Sequence, residues 1–190
     1  MQIVSHESVG IVINFSMEEK KIPLYRILIL GTPGSGKSTL ANRISQALRI
    51  EAIHLDMYYW KANWVETSSD EWEKKVDKLI NQESWVMDGN YINSLSKRIK
   101  YATHILYLDI PWYKSIYRII SRMIKYRNKT RPDIQPDCKE TLNIDFIQFL
   151  LWAIKFNVTY KKNIINLLSD TNYEFLYNNK SIANWEKKNI

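Results

Sequence analysis

Short apolar runs alternate along the chain with segments whose apolar residues recur every three or four positions. Residues 26–30, Arg-Ile-Leu-Ile-Leu, suit a parallel strand covered on both faces. Leu40, Ile44 and Leu48 then fall at helical spacing over residues 39–48. Residues 52–55 predict a second strand that ends at Asp56, and residues 57–69 are aromatic and irregular. Ser69 or Asp70 is placed to cap a helix over residues 71–81, where Trp72, Val76, Leu79 and Ile80 share a face. Residues 84–87 and 104–108 predict two more strands, stopping at Asp88-Gly89 and at Asp109-Ile110-Pro111. After Pro111 comes a helix with one apolar stripe (Ile116, Ile119, Ile120, Met123) and one basic stripe (Lys114, Arg118, Arg122, Lys125). Residues 127–139, with Pro132 and Pro136, read as a loop. A long apolar helix carrying Phe146, Phe149, Leu150, Trp152, Ala153 and Phe156 follows, and residues 173–177 predict the strand that closes the sheet.

Strands alternating with helices predict an α/β chain of three layers: a parallel five-stranded sheet, helices on both faces and a helical lid. In such sheets ligands gather at the carboxyl ends of the strands, so Asp56, Asp88 and Asp109 are expected to converge there. Residues 21–190 read as one domain with a lid insert at about 112–140. Residues 1–20 form an N-terminal extension in which residues 9–15 fit either an edge strand or a mobile segment.

Between the first strand and the first helix lies Gly-Thr-Pro-Gly-Ser-Gly-Lys-Ser, residues 31–38. Gly31, Gly34 and Gly36 let the backbone curl until successive N–H groups point inward at phosphate oxygens, and the helix start adds its positive dipole end. Thr32, Pro33, Ser35 and Thr39 complete the nucleotide-binding stretch. Lys37 would reach the β- and γ-phosphates, with the Ser38 hydroxyl on Mg²⁺.

Charge sharpens the picture through its placement. The formal net charge is +7, yet residues 1–111 hold 13 basic and 13 acidic side chains and residues 132–190 hold 7 of each, so the excess lies in residues 112–131, with 7 basic and no acidic. A nucleic-acid binder tends to spread such charge along a groove, whereas a lid closing on a triphosphate concentrates it. The chain prefers lysine, 19 to 8, but Arg98, Arg118, Arg122, Arg127 and Arg131 cluster, and arginine's planar fork suits phosphate oxygens. Cys138 is the single cysteine, which excludes an intrachain disulfide and fits a reduced, cytoplasmic setting. No apolar run approaches the roughly 20 residues that cross a bilayer, and the start lacks the basic region of a signal peptide. A soluble chain without a membrane partner is expected.

Three further signatures resemble the small P-loop kinases of the adenylate-kinase type: Asp88-Gly89 after the acceptor region, Leu108-Asp109-Ile110-Pro111, and Arg118 with Arg122 opening the lid. The chain is more closely similar to bacterial DNA topology modulation proteins, through His54-Leu55-Asp56, the tryptophan-rich stretch, Asp88-Gly89-Asn90-Tyr91 and Arg131-Pro132-Asp133. The resemblance covers residues 25–180 or so and implies a P-loop NTPase fold with ATP, Mg²⁺ and phosphoryl transfer to a small-molecule acceptor. It departs from adenylate kinase proper at residues 54–60, which lack the nucleoside-monophosphate pattern.

An aspartate like Asp56 is similar to that of uridine, gluconate and shikimate kinases, where a hydroxyl must be oriented or deprotonated, while an anionic phosphate acceptor needs no base. Asp56 therefore favours an alcohol acceptor, with a turn cap as the plainer reading. Asp88 either holds a Mg²⁺-bound water with Ser38 or serves only the turn before Gly89. Trp60 and Trp64 read equally as core or as a stacking surface for the acceptor. Arg98 is a candidate for acceptor phosphate or a solvated helix residue. Arg118 and Arg122 would neutralise charge on the transferred group. His54, His104, Cys138 and Asp109 read as structural. The rival function is a nucleic-acid-associated ATPase using the basic stretch.

Overall fold

The structure, a computed structural model, describes residues 24–190; the expectations for residues 1–20 lie outside the described residues. In chain order the elements are β1 (Arg26–Gly31), α1 (Lys37–Leu48), β2 (Ala52–His54), α2 (Leu55–Tyr59), β3 (Trp60–Lys61), β4 (Val65–Glu66), α3 (Ser69–Ile80), β5 (Trp85–Asp88), α4 (Ile92–Tyr101), β6 (His104–Leu108), α5 (Trp112–Lys125), α6 (Ile144–Leu168), β7 (Tyr173–Leu176) and α7 (Asn179–Asn189). β2, β5, β1, β6 and β7 form one sheet in that order. Every pairing in it is parallel, as the alternating pattern predicts.

The side-chain alternation of β1 builds two cores. Leu28 and Leu30 join Trp72, Val76, Leu79, Leu95, Phe156 and Ile164 on one face, beneath α3, α4 and α6. Ile27 and Ile29 join Leu40, Ala41, Ile44, Ile182 and Trp185 on the other, beneath α1 and α7. The predicted face of α3 is buried throughout, although the helix begins at Ser69, two residues earlier than its sequence suggests. A third cluster, Ile119, Met123, Phe146 and Ala153, seals α5 against α6.

Two departures shape the site. Asp56 belongs to the first turn of α2, directly beyond β2. The aromatic segment after it is a small antiparallel hairpin, with Trp60 opposite Glu66 and Lys61 opposite Val65. Its turn needs positive φ at both Asn63 and Trp64.

Candidate active site

The loop of residues 31–36 rises from the carboxyl end of β1, the central strand of the sheet. Gly34 has φ +76°, and a Cβ there would come within 2.5 Å of the Ser115 carbonyl oxygen and 2.9 Å of Ile119. Only glycine lets α5 pack this closely on the loop. Thr32 Oγ1 lies 3.3 Å from Ser115 Oγ, and Arg118 Nη1 donates to the Ser35 carbonyl at 2.9 Å. The start of α5 is thus fastened to the loop it overhangs. Gly36, in the left-handed conformation, caps α1 with no side-chain hydrogen bond, so the first N–H groups of that helix have no capping side chain. Ser35 Oγ is buried without a partner among the described residues, and Lys37 Nζ donates to the carbonyls of Gly31 and Thr32 at 3.1 and 3.0 Å. Pro33 and Ser38 are half-buried at the loop, while Thr39 is exposed on α1.

Beside the loop, Asp88 ends β5 and is buried. Its Oδ1 lies 2.9 Å from His54 Nδ1, and His54 Nε2 lies 3.0 Å from Asn42 Oδ1 on α1. Burial alone would lower the pKa of His54; the hydrogen bond and charge of Asp88 more than reverse this, helped by Asp133 and Asp56, and raise it. For Lys37, burial pushes the ammonium below its ordinary pKa and Arg122 adds to the effect, with Asp88 and Asp56 opposing. Asp56 and Asp88 therefore lie close enough to Lys37 for their charges to be felt. Asp109 instead turns to α6, where Lys161 Nζ bonds both its oxygens at 2.8 Å. Of the three strand-end aspartates, two share the site and the third anchors a helix.

Asn90, which the sequence offers only as part of the Asp88-Gly89-Asn90-Tyr91 signature, is central here. Its side chain accepts from Gly31 N–H at 3.2 Å and donates to Gly31 O at 2.9 Å, tying the β5–α4 turn to the base of the loop. The next residue, Tyr91, has φ +27° and donates its hydroxyl to Asp56 Oδ1 at 2.6 Å. Burial, then the Asp56 charge, push the Tyr91 phenol far above its usual range, so it acts as a donor. From Tyr91 an aromatic chain runs outward through Tyr59, Trp60 and Trp64, with ring centroids 4.7, 5.1 and 5.6 Å apart. Trp60 and Trp64 are half-buried, in keeping with a wall beside Asp56.

Arg98 corrects an expectation. It is fully buried, and its guanidinium donates to the carbonyls of Gly89, Asn90 and Tyr91 at 2.9, 2.5 and 3.0 Å and to Ser94 Oγ at 3.3 Å. With four of five donors committed, it holds the turn that presents Asn90 and Tyr91 and does not reach an acceptor phosphate.

α5 and the loop that follows it bring two more arginines toward the site. Arg122 is drawn inward, and its Nε is buried without a hydrogen-bond partner among the described residues. Burial and then Arg131 lower its pKa, against Glu140, Asp133 and Asp56. Arg131 is buried in an ion pair with Glu140, Nε to Oε1 2.6 Å, and a longer contact to Asp133. The lid loop then rests on the acceptor-side hairpin: Gln135 Nε2 donates to Met57 O at 2.5 Å, Trp64 Nε1 to Lys139 O at 3.0 Å, and Cys138 Sγ to Lys61 O at 3.2 Å.

A strand, glycine loop and helix at the centre of a parallel sheet of order 2-5-1-6-7, roofed by a helical lid, define the P-loop kinase fold. Shikimate kinase from Bacteroides thetaiotaomicron is similar over 86% of this chain and 95% of its own, with 13% identity and a TM-score of 0.54. Shikimate kinase from Acinetobacter baumannii, solved with shikimate, is similar over 85% and 88%, with 17% identity and a TM-score of 0.53. Comparison of the sequence with protein-family models and with curated proteins finds no match to either. Among the described residues no helix is long and apolar enough to cross a membrane.

Proposed function

We propose that the protein transfers a phosphoryl group from ATP to a hydroxyl of a small molecule. The observation that carries this reading is the meeting, around Lys37, of a phosphate loop with an uncommitted Ser35 hydroxyl, two aspartates from neighbouring strand ends and the inward face of α5.

The residues fit the groups required. Among the described residues Ser35 Oγ lacks a partner and the first turn of α1 has no capping side chain, which suits a triphosphate. Lys37 exchanges its two loop carbonyls for phosphate oxygens. Ser38 and the Asp88 oxygen not engaged by His54 make a hard, oxygen-only donor pair, which suits Mg²⁺ with the remaining positions left to water and phosphate. When bound, that ion neutralises charge on the phosphates. His54 and Asn42 fix the Asp88 carboxylate. Asp56, held by Tyr91, accepts the proton of the attacking hydroxyl, and Arg118 and Arg122 stabilise the charge on the group in transit.

Apart from Lys37 and Arg122, the cations of the hairpin, α3, α4 and the lid loop named here are engaged by protein groups, which favours a hydroxyl over a phosphate acceptor. Arg98 is spent on carbonyls, Lys61 and Lys75 pair with Glu71, and Lys75 also bonds Tyr58 O. Arg131 is spent on Glu140. The rival nucleic-acid reading retains only Lys114, Lys125, Arg127 and Lys129 as exposed members of the basic stretch.

An ADP-release screen across nucleosides, nucleotides and sugar acids tests the proposal. The expected hit is an uncharged hydroxyl compound, abolished by Lys37→Ala and reduced by roughly 10²- to 10⁴-fold in Asp56→Asn. A nucleotide hit indifferent to Asp56→Asn overturns the hydroxyl acceptor, and turnover unaffected by Lys37→Ala overturns the kinase.

A further inference from the structure

The lid pair α5 and α6 has more apolar surface than its own seam consumes. Ile119 and Met123 meet Phe146 and Ala153, with Ile116, Phe149 and Leu150 packed around them. Beyond that seam each helix carries a second stripe that faces solvent. On α5 it is Tyr113, Tyr117, Ile120 and Ile124; on α6 it is Ile144, Ile147, Leu151 and Ile154. The steps are 4-3-4 and 3-4-3, the spacing of a helix-to-helix packing seam.

The two stripes fall on one side of the pair. α5 leaves the carboxyl edge of β6 and α6 returns to the amino edge of β7, its parallel neighbour, so the helices pass in opposite directions. At 3.6 residues per turn, each stripe is displaced from the seam by roughly a quarter to a third of a turn in the same rotational sense. Between oppositely directed helices, that places both on the same face.

The size of the face decides what covers it. Tyr117 is 72% exposed, Ile124 65%, Ile144 73% and Leu151 55%, with the other four between 38% and 57%. With large side chains of about 150–250 Å² each, the eight expose on the order of 800–900 Å². A monomer's largest apolar patch is about 300–600 Å², whereas a stable dimer buries about 800 Å² per partner.

We infer that this face is the interface of a symmetric homodimer, in which the α5–α6 pair of one copy packs on that of a second to form a four-helix bundle. Each stripe finds its complement in the same stripes of the partner, which a two-fold axis supplies without a second binding surface. The contact braces α5 from the side opposite Arg118 and Arg122, fixing the lid helix that overhangs the phosphate loop. This inference does not depend on the reaction catalysed.

Sedimentation velocity on the full chain across a micromolar concentration series is the test, beside Tyr117→Glu/Leu151→Glu. The wild-type chain is expected at twice the chain mass and the double variant at the chain mass, with the same far-UV circular dichroism and thermal midpoint at equal subunit concentration after allowance for lost dimerisation. The single variant Ile147→Lys, also on an exposed position, weakens the dimer at least tenfold if the double variant fails to fold. A wild-type chain that stays monomeric overturns the inference, whether its face is covered by residues 1–23 or instead takes the protein to vesicles. So does a dimer that persists with both stripes charged.

Discussion

Arg98 is the side chain on which the acceptor half of the site rests, although it touches no ligand position. Its guanidinium gathers three consecutive carbonyls, of Gly89, Asn90 and Tyr91, which forces the chain through the positive φ of Gly89 and Tyr91. Asn90 is thereby set against Gly31 and Tyr91 against Asp56. Arg98→Met keeps the packing volume but strips the Gly89 and Asn90 carbonyls of their donor, while Tyr91 O keeps the Ser94 N–H and hydroxyl, so a loss of about 3–5 kcal/mol is expected by urea unfolding. Tyr91→Phe removes one hydroxyl from a half-buried position. It should change stability by about 1 kcal/mol or less while lowering kcat about tenfold, because Asp56 loses the donor that orients it. At this scale the sequence singles out Lys37, Asp56 and Asp88 as candidates because each closes a readable local pattern. His54 was assigned only a structural part, since its partners Asp88 and Asn42 stand 34 and 12 residues away and no spacing rule links them. Arg98 departs from its sequence expectation for a related reason: an arginine's charge is visible in the sequence, but the carbonyls that consume it are not.

Among the elements, α5 does two jobs whose signals overlap in one segment. Its basic side faces the phosphate loop and its apolar sides face α6 and solvent. The charge run marks this segment as a candidate lid; the close seating of α5 on the loop is not legible, because it depends on the missing side chain at Gly34. Gly34→Ala would drive a Cβ into the Ser115 carbonyl and hold a residue at a φ that disfavours side chains. The fold should survive, since β1 and α1 keep their cores. ATP-induced stabilisation, worth about 2.7 kcal/mol at a hundredfold excess over Kd, should be lost in thermal unfolding followed with and without Mg²⁺ and ATP. Other elements escaped for want of periodicity. The β3–β4 hairpin pairs two residues with two and turns through Asn63 and Trp64, too short for alternation to register. α7 contributes only Ile182 and Trp185 to the core. Its one strong local sign was the capping box of Asn178 and Ser181, a start signal without a long apolar stripe behind it.

Across the whole molecule, the lid and the acceptor-side hairpin are fastened to each other. Gln135, Cys138 and Lys139 of the lid loop each make a hydrogen bond to the segment of residues 57–64, and Arg131 with Glu140 stiffens the loop from within. Lys37 meanwhile lies back on its own loop carbonyls. A strap therefore ties the lid loop to the segment that follows Asp56, and it should exclude water from a bound triphosphate until an acceptor hydroxyl binds. Trp64→Phe with Gln135→Ala removes two of the three fastenings without touching Lys37, Asp56, Asp88 or either lid arginine. Acceptor-independent ATP hydrolysis, followed by phosphate release, is expected to rise by about three- to tenfold in this variant, because the loosened loop admits water as the competing nucleophile. Hydrogen exchange should locate the cause, with faster exchange over residues 128–140 and 57–66 together and none over β1 or β5. Faster exchange in the lid loop alone would mean that the hairpin holds its place without the strap, and the rise in hydrolysis should then be missing as well.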